Sequence, residues 1–234
     1  MAKIRNRLEA RWLDASLQLL DRQVVDEDGL LVCNVDDLEI TEGRDHGLAV
    51  TGILSGPPAL WPRLSGVLGD RLRTAWLRLG VQYAERDVPA YIPLRLVDEI
   101  GAAVTLTAAR DGLLGRQPPA GAGEEHRRLA ELLGREVRTP EGDRLGKVLD
   151  VRLVPRGGRT SRRLEVSDLV VGRGRPGSLL GYDRGDLNGP WMVYAIVKRL
   201  HRRTGTVPMS AVRGLEWNDG YVTADGPLRP LADA

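Results

Sequence analysis

Residues Leu19-Leu-Asp-Arg-Gln-Val-Val-Asp-Glu-Asp-Gly29 lie without a gap on Leu132-Leu-Gly-Arg-Glu-Val-Arg-Thr-Pro-Glu-Gly142, 113 positions further along the chain. Val35 then falls on Val148 and Asp37 on Asp150. Two further blocks keep the order. Leu48-Ala-Val-Thr-Gly-Ile-Leu-Ser-Gly56 matches Leu164-Glu-Val-Ser-Asp-Leu-Val-Val-Gly172, and Ile92-Pro-Leu-Arg-Leu-Val97 matches Val207-Pro-Met-Ser-Ala-Val212. Collinear self-similarity of this kind marks an internal repeat. The chain therefore divides into a first unit over 1–109, a linker over 110–123 that contains Gln117-Pro-Pro-Ala-Gly-Ala-Gly123, and a second unit over 124–234.

Each repeat reads as a small all-β unit with helices added. Asp28-Gly29 and Glu141-Gly142 separate apolar runs, the signature of a hairpin whose glycine takes positive φ. The runs that follow, Leu30–Ile40 and Arg144–Val154, read as long strands. Their apolar phase slips near Asp37 and Asp150, as a β-bulge would cause. Leu48–Leu54 and Leu164–Val171 are third strands. Short strands end at Pro93 and Pro208, where a ladder donor is lost and an edge is expected. Ala102–Leu106 and Gly220–Ala224 close the units. Leu64–Leu79 carries an apolar stripe at three- and four-residue steps, and Asn188-Gly-Pro190 opens a second candidate helix over Trp191–Arg203. Helices are also expected ahead of each repeat, over Ile4–Leu19 and Glu124–Leu132.

The pattern Leu132-Leu-Gly-Arg-Glu-Val, Glu141-Gly142 and Leu145-Gly-Lys-Val-Leu-Asp150, with the later Val207-Pro208 and Val212, resembles the PRC-barrel family. The first repeat resembles it more loosely, with Asp21 in place of the first glycine and Cys33-Asn34 in place of Gly146-Lys147. The resemblance implies two small tandem β-barrels, mainly β with added helices. It also implies action by docking onto other macromolecules rather than by catalysis. An apolar stripe on each inserted helix leads us to expect that the barrels pack about a pseudo-two-fold axis.

Composition narrows the function classes. The chain has 234 residues, 42% hydrophobic and 28% charged, within the globular range. Its longest apolar run, Trp191–Val197, is far short of the about 18 residues that read as a membrane span. The N-terminus lacks the apolar core of a secretory signal. The one cysteine, Cys33, excludes an intrachain disulfide and fits a reducing compartment, so a cytoplasmic location is expected.

Little catalytic chemistry is visible. His46, His126 and His201 do not recur between the repeats, so no triad and no catalytic residue is assigned. Cys33 stands where the other repeat has Gly146, and reads as a small core-facing residue. The acidic stretch Asp36, Asp37, Glu39, Glu42, Asp45 with His46 fits no calcium-loop spacing. A solvated strand end, with Asp37 bonding backbone at a bulge, explains it better, and no metal or cofactor is expected. Gly172-Arg-Gly-Arg-Pro-Gly177 lacks the ending of a phosphate loop and reads as a surface loop.

Charge is uneven. Residues 1–117 carry 14 basic and 17 acidic side chains, and residues 118–234 carry 20 and 15. Arg156, Arg159, Arg162, Arg163, Arg173, Arg175, Lys198, Arg199, Arg202 and Arg203 form a candidate patch for an anionic partner. Few aromatics accompany it, which weakens a nucleic-acid reading. The expected function is a non-catalytic adaptor for an unidentified protein partner, as monomer or homodimer. The alternative is an RNA- or ribosome-assembly-associated protein using the basic second unit.

Overall fold

The structure is a computed structural model that describes residues 3–4, 12–43, 47–60, 63, 74, 88–116, 125–156, 163–172 and 204–231. The first half supplies strands β1 (Lys3–Ile4), β2 (Leu13–Asp14), β3 (Gln23–Val25), β4 (Leu31–Asn34), β5 (Asp37–Glu42), β6 (Leu48–Ser55), β7 (Ala90–Pro93), β8 (Val97–Ile100), β9 (Val104–Leu106) and β10 (Gly115–Arg116). The second supplies β11 (His126–Arg128), β12 (Glu136–Arg138), β13 (Arg144–Arg156), β14 (Arg163–Gly172), β15 (Gly205–Pro208), β16 (Val212–Glu216), β17 (Tyr221–Ala224) and β18 (Arg229–Pro230).

The chain is mainly β, with a curled, half-barrel sheet and few helices. A five-stranded sheet runs β1-β8-β9-β3-β4. The larger sheet runs β10-β7-β6-β14-β13-β12-β17-β16, with β5 beside β6, β11 on β5, β2 on β13, and β15 and then β18 beside β14. The halves join where Val50 pairs with Leu164 and Ala49 with Glu165. One cluster of buried aliphatic side chains runs through both, from Leu13, Leu20 and Val24 to Val207, Val222 and Ala224.

Both expected hairpins form, with Gly29 at φ 79° and Gly142 at φ 95°. Asp26 secures the first. Its Oδ1 accepts from the N–H groups of Asp28 (3.0 Å) and Leu30 (2.8 Å), and its Oδ2 from that of Arg110 (3.0 Å). The strands ending at Pro93 and Pro208 also form. β10 and β18 pair only with residues ahead of each proline, Ala90 and Tyr91 or Gly205 and Thr206, so among the described residues Pro93 and Pro208 themselves have a ladder partner on one side alone.

Three expectations change. The Leu30–Ile40 strand divides after Asn34 into β4 and β5, whereas its counterpart β13 runs unbroken through a register shift between Val148 and Asp150. Among the described residues the helices expected ahead of each repeat reduce to single turns, Ala15–Gln18 and Leu129–Leu132, and residues 5–11 and 124 of the expected spans lie outside them. Their leading residues instead become strands β2 and β11, because each finds a partner edge in the opposite half. Gly115–Arg116, inside the expected linker, adds to β7. Both inserted helices, Leu64–Leu79 (apart from helical Thr74) and Trp191–Arg203, lie outside the described residues, as does linker segment 117–123.

Candidate functional site

The basic patch is largely beyond reach of the geometry. Arg156 and Arg163 face each other across β13 and β14, and the Arg156 guanidinium is 3.2 Å from Glu165 Oε2. Arg159, Arg162, Arg173, Arg175, Lys198, Arg199, Arg202 and Arg203 lie outside the described residues, as do Asp45, His46, His201 and the loop after Gly172.

The acidic stretch does not converge. Glu42 Oε2 accepts the indole N–H of Trp217 (2.8 Å). Glu39, fully buried, accepts the Thr51 hydroxyl (2.6 Å) and faces His126 Nδ1 at 3.1 Å. Asp36 Oδ2 accepts the Gly56 N–H (2.6 Å) and the Ser55 hydroxyl (3.2 Å). Among the described residues no three potential ligands gather around a metal-sized space. A void of about 10 Å³ in the core is lined by aliphatic residues such as Leu38, Val50, Ile53 and Leu164, and apolar voids of this size stay dry.

Asp37 and Asp150 occupy matching positions and do matching work. Asp37 Oδ1 accepts from its neighbour Leu38 N–H (2.8 Å) and from Ala130 N–H (3.2 Å), in the helical turn of the second half. Asp150 Oδ1 accepts from Val151 N–H (2.7 Å) and from Ser16 N–H (2.7 Å), in the helical turn of the first half. Each aspartate thus caps a helical turn delivered by the other half. Burial pushes the Asp37 carboxyl up to about 7 and that of Asp150 up to about 6. The strands leading into these turns carry opposite charge. Asp14 pairs with Arg152 (3.3 Å) beneath the Trp12 ring, whereas His126 and Arg128 lie along Glu39.

The halves part company at one seam. In the second half, Lys147 pairs with Gly172 and Val148 with Val171, so β13 is stitched to the end of β14. That closure needs Gly146, since a Cβ there would lie 2.8 Å from the Gly172 carbonyl oxygen. The first half has Cys33 at this position, and β4 is not stitched to β6. The Asp36 carboxylate takes the Gly56 N–H instead. Arg63 braces the gap: it donates to the Asp36 carbonyl (2.9 Å) and bridges Asp21 (2.8 Å). Asp21, at φ 61°, sits where the other repeat has Gly134 at φ 80°.

The outcome is an open edge. Among the described residues β4 pairs with β3 alone. Leu30 and Leu31 beside it are 48% and 55% exposed. Val35 N–H donates to Arg22 O, so alternation turns the adjacent Asn34 N–H outward, while the register shift between Val24 and Val25 leaves Val32 as the bulged residue. Glu27 and Asp28, exposed in the adjoining turn, form no ion pair among the described residues. Cys33 is partly buried against the core, and burial raises its thiol pKa while Ser55 hydrogen-bonds it. This matches the small core-facing residue expected, and a side chain stands here where the closed seam has a glycine.

No known family model matches the chain, and a search of curated proteins finds no match. No helix among the described residues is long and apolar enough to cross a membrane.

Proposed function

We propose that this chain is a non-catalytic docking module of two PRC-barrel-like halves, and that it binds a protein partner along β4. The observation that carries the reading is the open edge itself. A strand paired on one side only, with an outward N–H at Asn34 and exposed leucines, is a template for a further strand, and natural proteins cover or charge such edges when they are not used. Here neither Leu31, Val32, Cys33 nor Asn34 is charged, and Leu31 is the most exposed large aliphatic side chain among the described residues.

Duplication and a pseudo-two-fold relation belong to the same proposal. Of the strand pairs that join the halves, β6 with β14 brings matching blocks of the sequence repeat together antiparallel, the self-complementary contact expected of a two-fold. The reciprocal caps from Asp37 and Asp150 support it as well. A cytoplasmic setting fits the solitary cysteine. Among the described residues no observation favours the RNA reading: eight of the ten patch residues lie outside them, and Arg156 is engaged with Glu165.

The test is photo-cross-linking in the native cell from a reactive phenylalanine placed at Leu31. A discrete adduct that disappears in the Asn34→Pro background supports docking on β4. Absence of an adduct, or one indifferent to Asn34→Pro, counts against it.

A further inference from the structure

We infer that the occupant of β4 is an extended protein segment running antiparallel to it, aliphatic in its middle and basic at its C-terminal end. This rests on the docking reading above and adds the direction and chemistry of the partner. Direction comes from the second half. There the stretch matching β4 is flanked by the end of β14, antiparallel, through Lys147↔Gly172 and Val148↔Val171. A partner strand entering the open seam takes the place that this self-contact fills in the closed one.

Chemistry comes from the two ends of the edge. Glu27 and Asp28 lie in the turn that leads into β4, and neither carboxylate is neutralised among the described residues. An antiparallel strand brings its C-terminal end beside that turn. Lysine or arginine there is attracted, and an acidic residue repelled. At the opposite end Arg63 pairs with Asp21, and the Asp36 carboxylate already accepts the Gly56 N–H and the Ser55 hydroxyl, so the acidic groups there are engaged within the chain whereas Glu27 and Asp28 are not. Leu31 offers apolar surface between these ends. A second copy of β4 is a poor occupant. Self-pairing would bring the partner's uncharged Asn34 end, not a cation, against Glu27 and Asp28.

The experiment is selection of short extended segments from a displayed random library against the full chain, then binding measurements on the winners as synthetic peptides. Selected segments should be aliphatic at alternate positions with Lys or Arg at the C-terminal end. Their affinity should drop at least about tenfold for Asn34→Pro and for Leu31→Asp, and several-fold for Glu27→Gln with Asp28→Asn, while Leu17→Asp leaves it unchanged. Moving the basic residues to the N-terminal end should weaken binding. Circular dichroism melts of each variant confirm that loss of binding is not loss of fold. Segments that need β4 yet show no basic preference, or prefer the reverse polarity, overturn this inference and leave docking standing. Segments that bind without regard to Asn34 and Leu31, or no selection above the Asn34→Pro protein, overturn both.

Discussion

Replacing Asp37 by Asn should flatten the pH dependence of stability. In the folded chain burial holds the Asp37 carboxyl at about 7, against an unfolded value of 3.8. A carboxyl whose folded value is raised contributes stability that is fully present below pH 3.8 and is lost as pH rises through about 7. Each unit of difference is worth about 1.4 kcal/mol, so the wild-type protein loses up to about 4 kcal/mol from this group between acid and mildly alkaline conditions. Asp150, held at about 6, loses up to about 3 kcal/mol by the same route. Asparagine keeps the Oδ1 acceptor for Leu38 and Ala130 N–H and has no proton to lose. Urea unfolding of wild type, Asp37→Asn and Asp150→Asn at pH 5 and pH 8 checks this. The wild type should lose more stability on going to pH 8 than either variant, with the larger difference for Asp37→Asn. Parallel pH profiles for wild type and both variants would refute the claim that these carboxyls cap the opposite half in buried surroundings.

Three further outcomes follow from the same contacts. Gly146→Ala pushes a Cβ into the Gly172 carbonyl and should cost about 1–3 kcal/mol in chemical denaturation. Gly52→Ala places a Cβ 2.0 Å from the Tyr91 ring and should destabilise by a similar amount; the double variant with Tyr91→Ala should lose less stability than the sum of the two single losses. Asp26→Ala strips acceptors from three backbone N–H groups and should cost about 1–3 kcal/mol, read from denaturation and from faster amide exchange at Leu30.

The hairpins, the strand cores and the positions of Pro93 and Pro208 are legible in the sequence because each rests on local chemistry: a turn glycine, alternation, a missing donor. The strand character of Leu13–Asp14 and His126–Arg128 is not, because their ladder partners lie 85 to 140 residues away and nothing local specifies an edge. A helix is the expectation from sequence there, and tertiary pairing overrides it. The open seam was half visible. Cys33 against Gly146 is plain in the repeat, but its meaning depends on the approach of Gly172, a contact only the fold supplies. The pair Gly52 and Tyr91 is similar: the other repeat has Asp168 and Thr206, and the ring of Tyr91 is what requires a glycine opposite. The basic patch drew attention through composition, whereas the edge that carries the proposal is uncharged and marked by what fails to pair with it.

The asymmetry between the two seams is the centre of the account, and amide hydrogen exchange at two matched positions tests it most directly. Asn34 and Lys147 are equivalent in the repeat, and alternation directs both N–H groups toward the seam. Lys147 meets Gly172 there, whereas Asn34, paired with Gln23 of β3 on its other side, meets no strand at the seam among the described residues. Exchange followed by NMR on the full chain should find the Lys147 amide strongly protected and the Asn34 amide exchanging at close to the rate of an unstructured chain. Equal protection at the two amides would contradict the open edge and, with it, the docking function built on it.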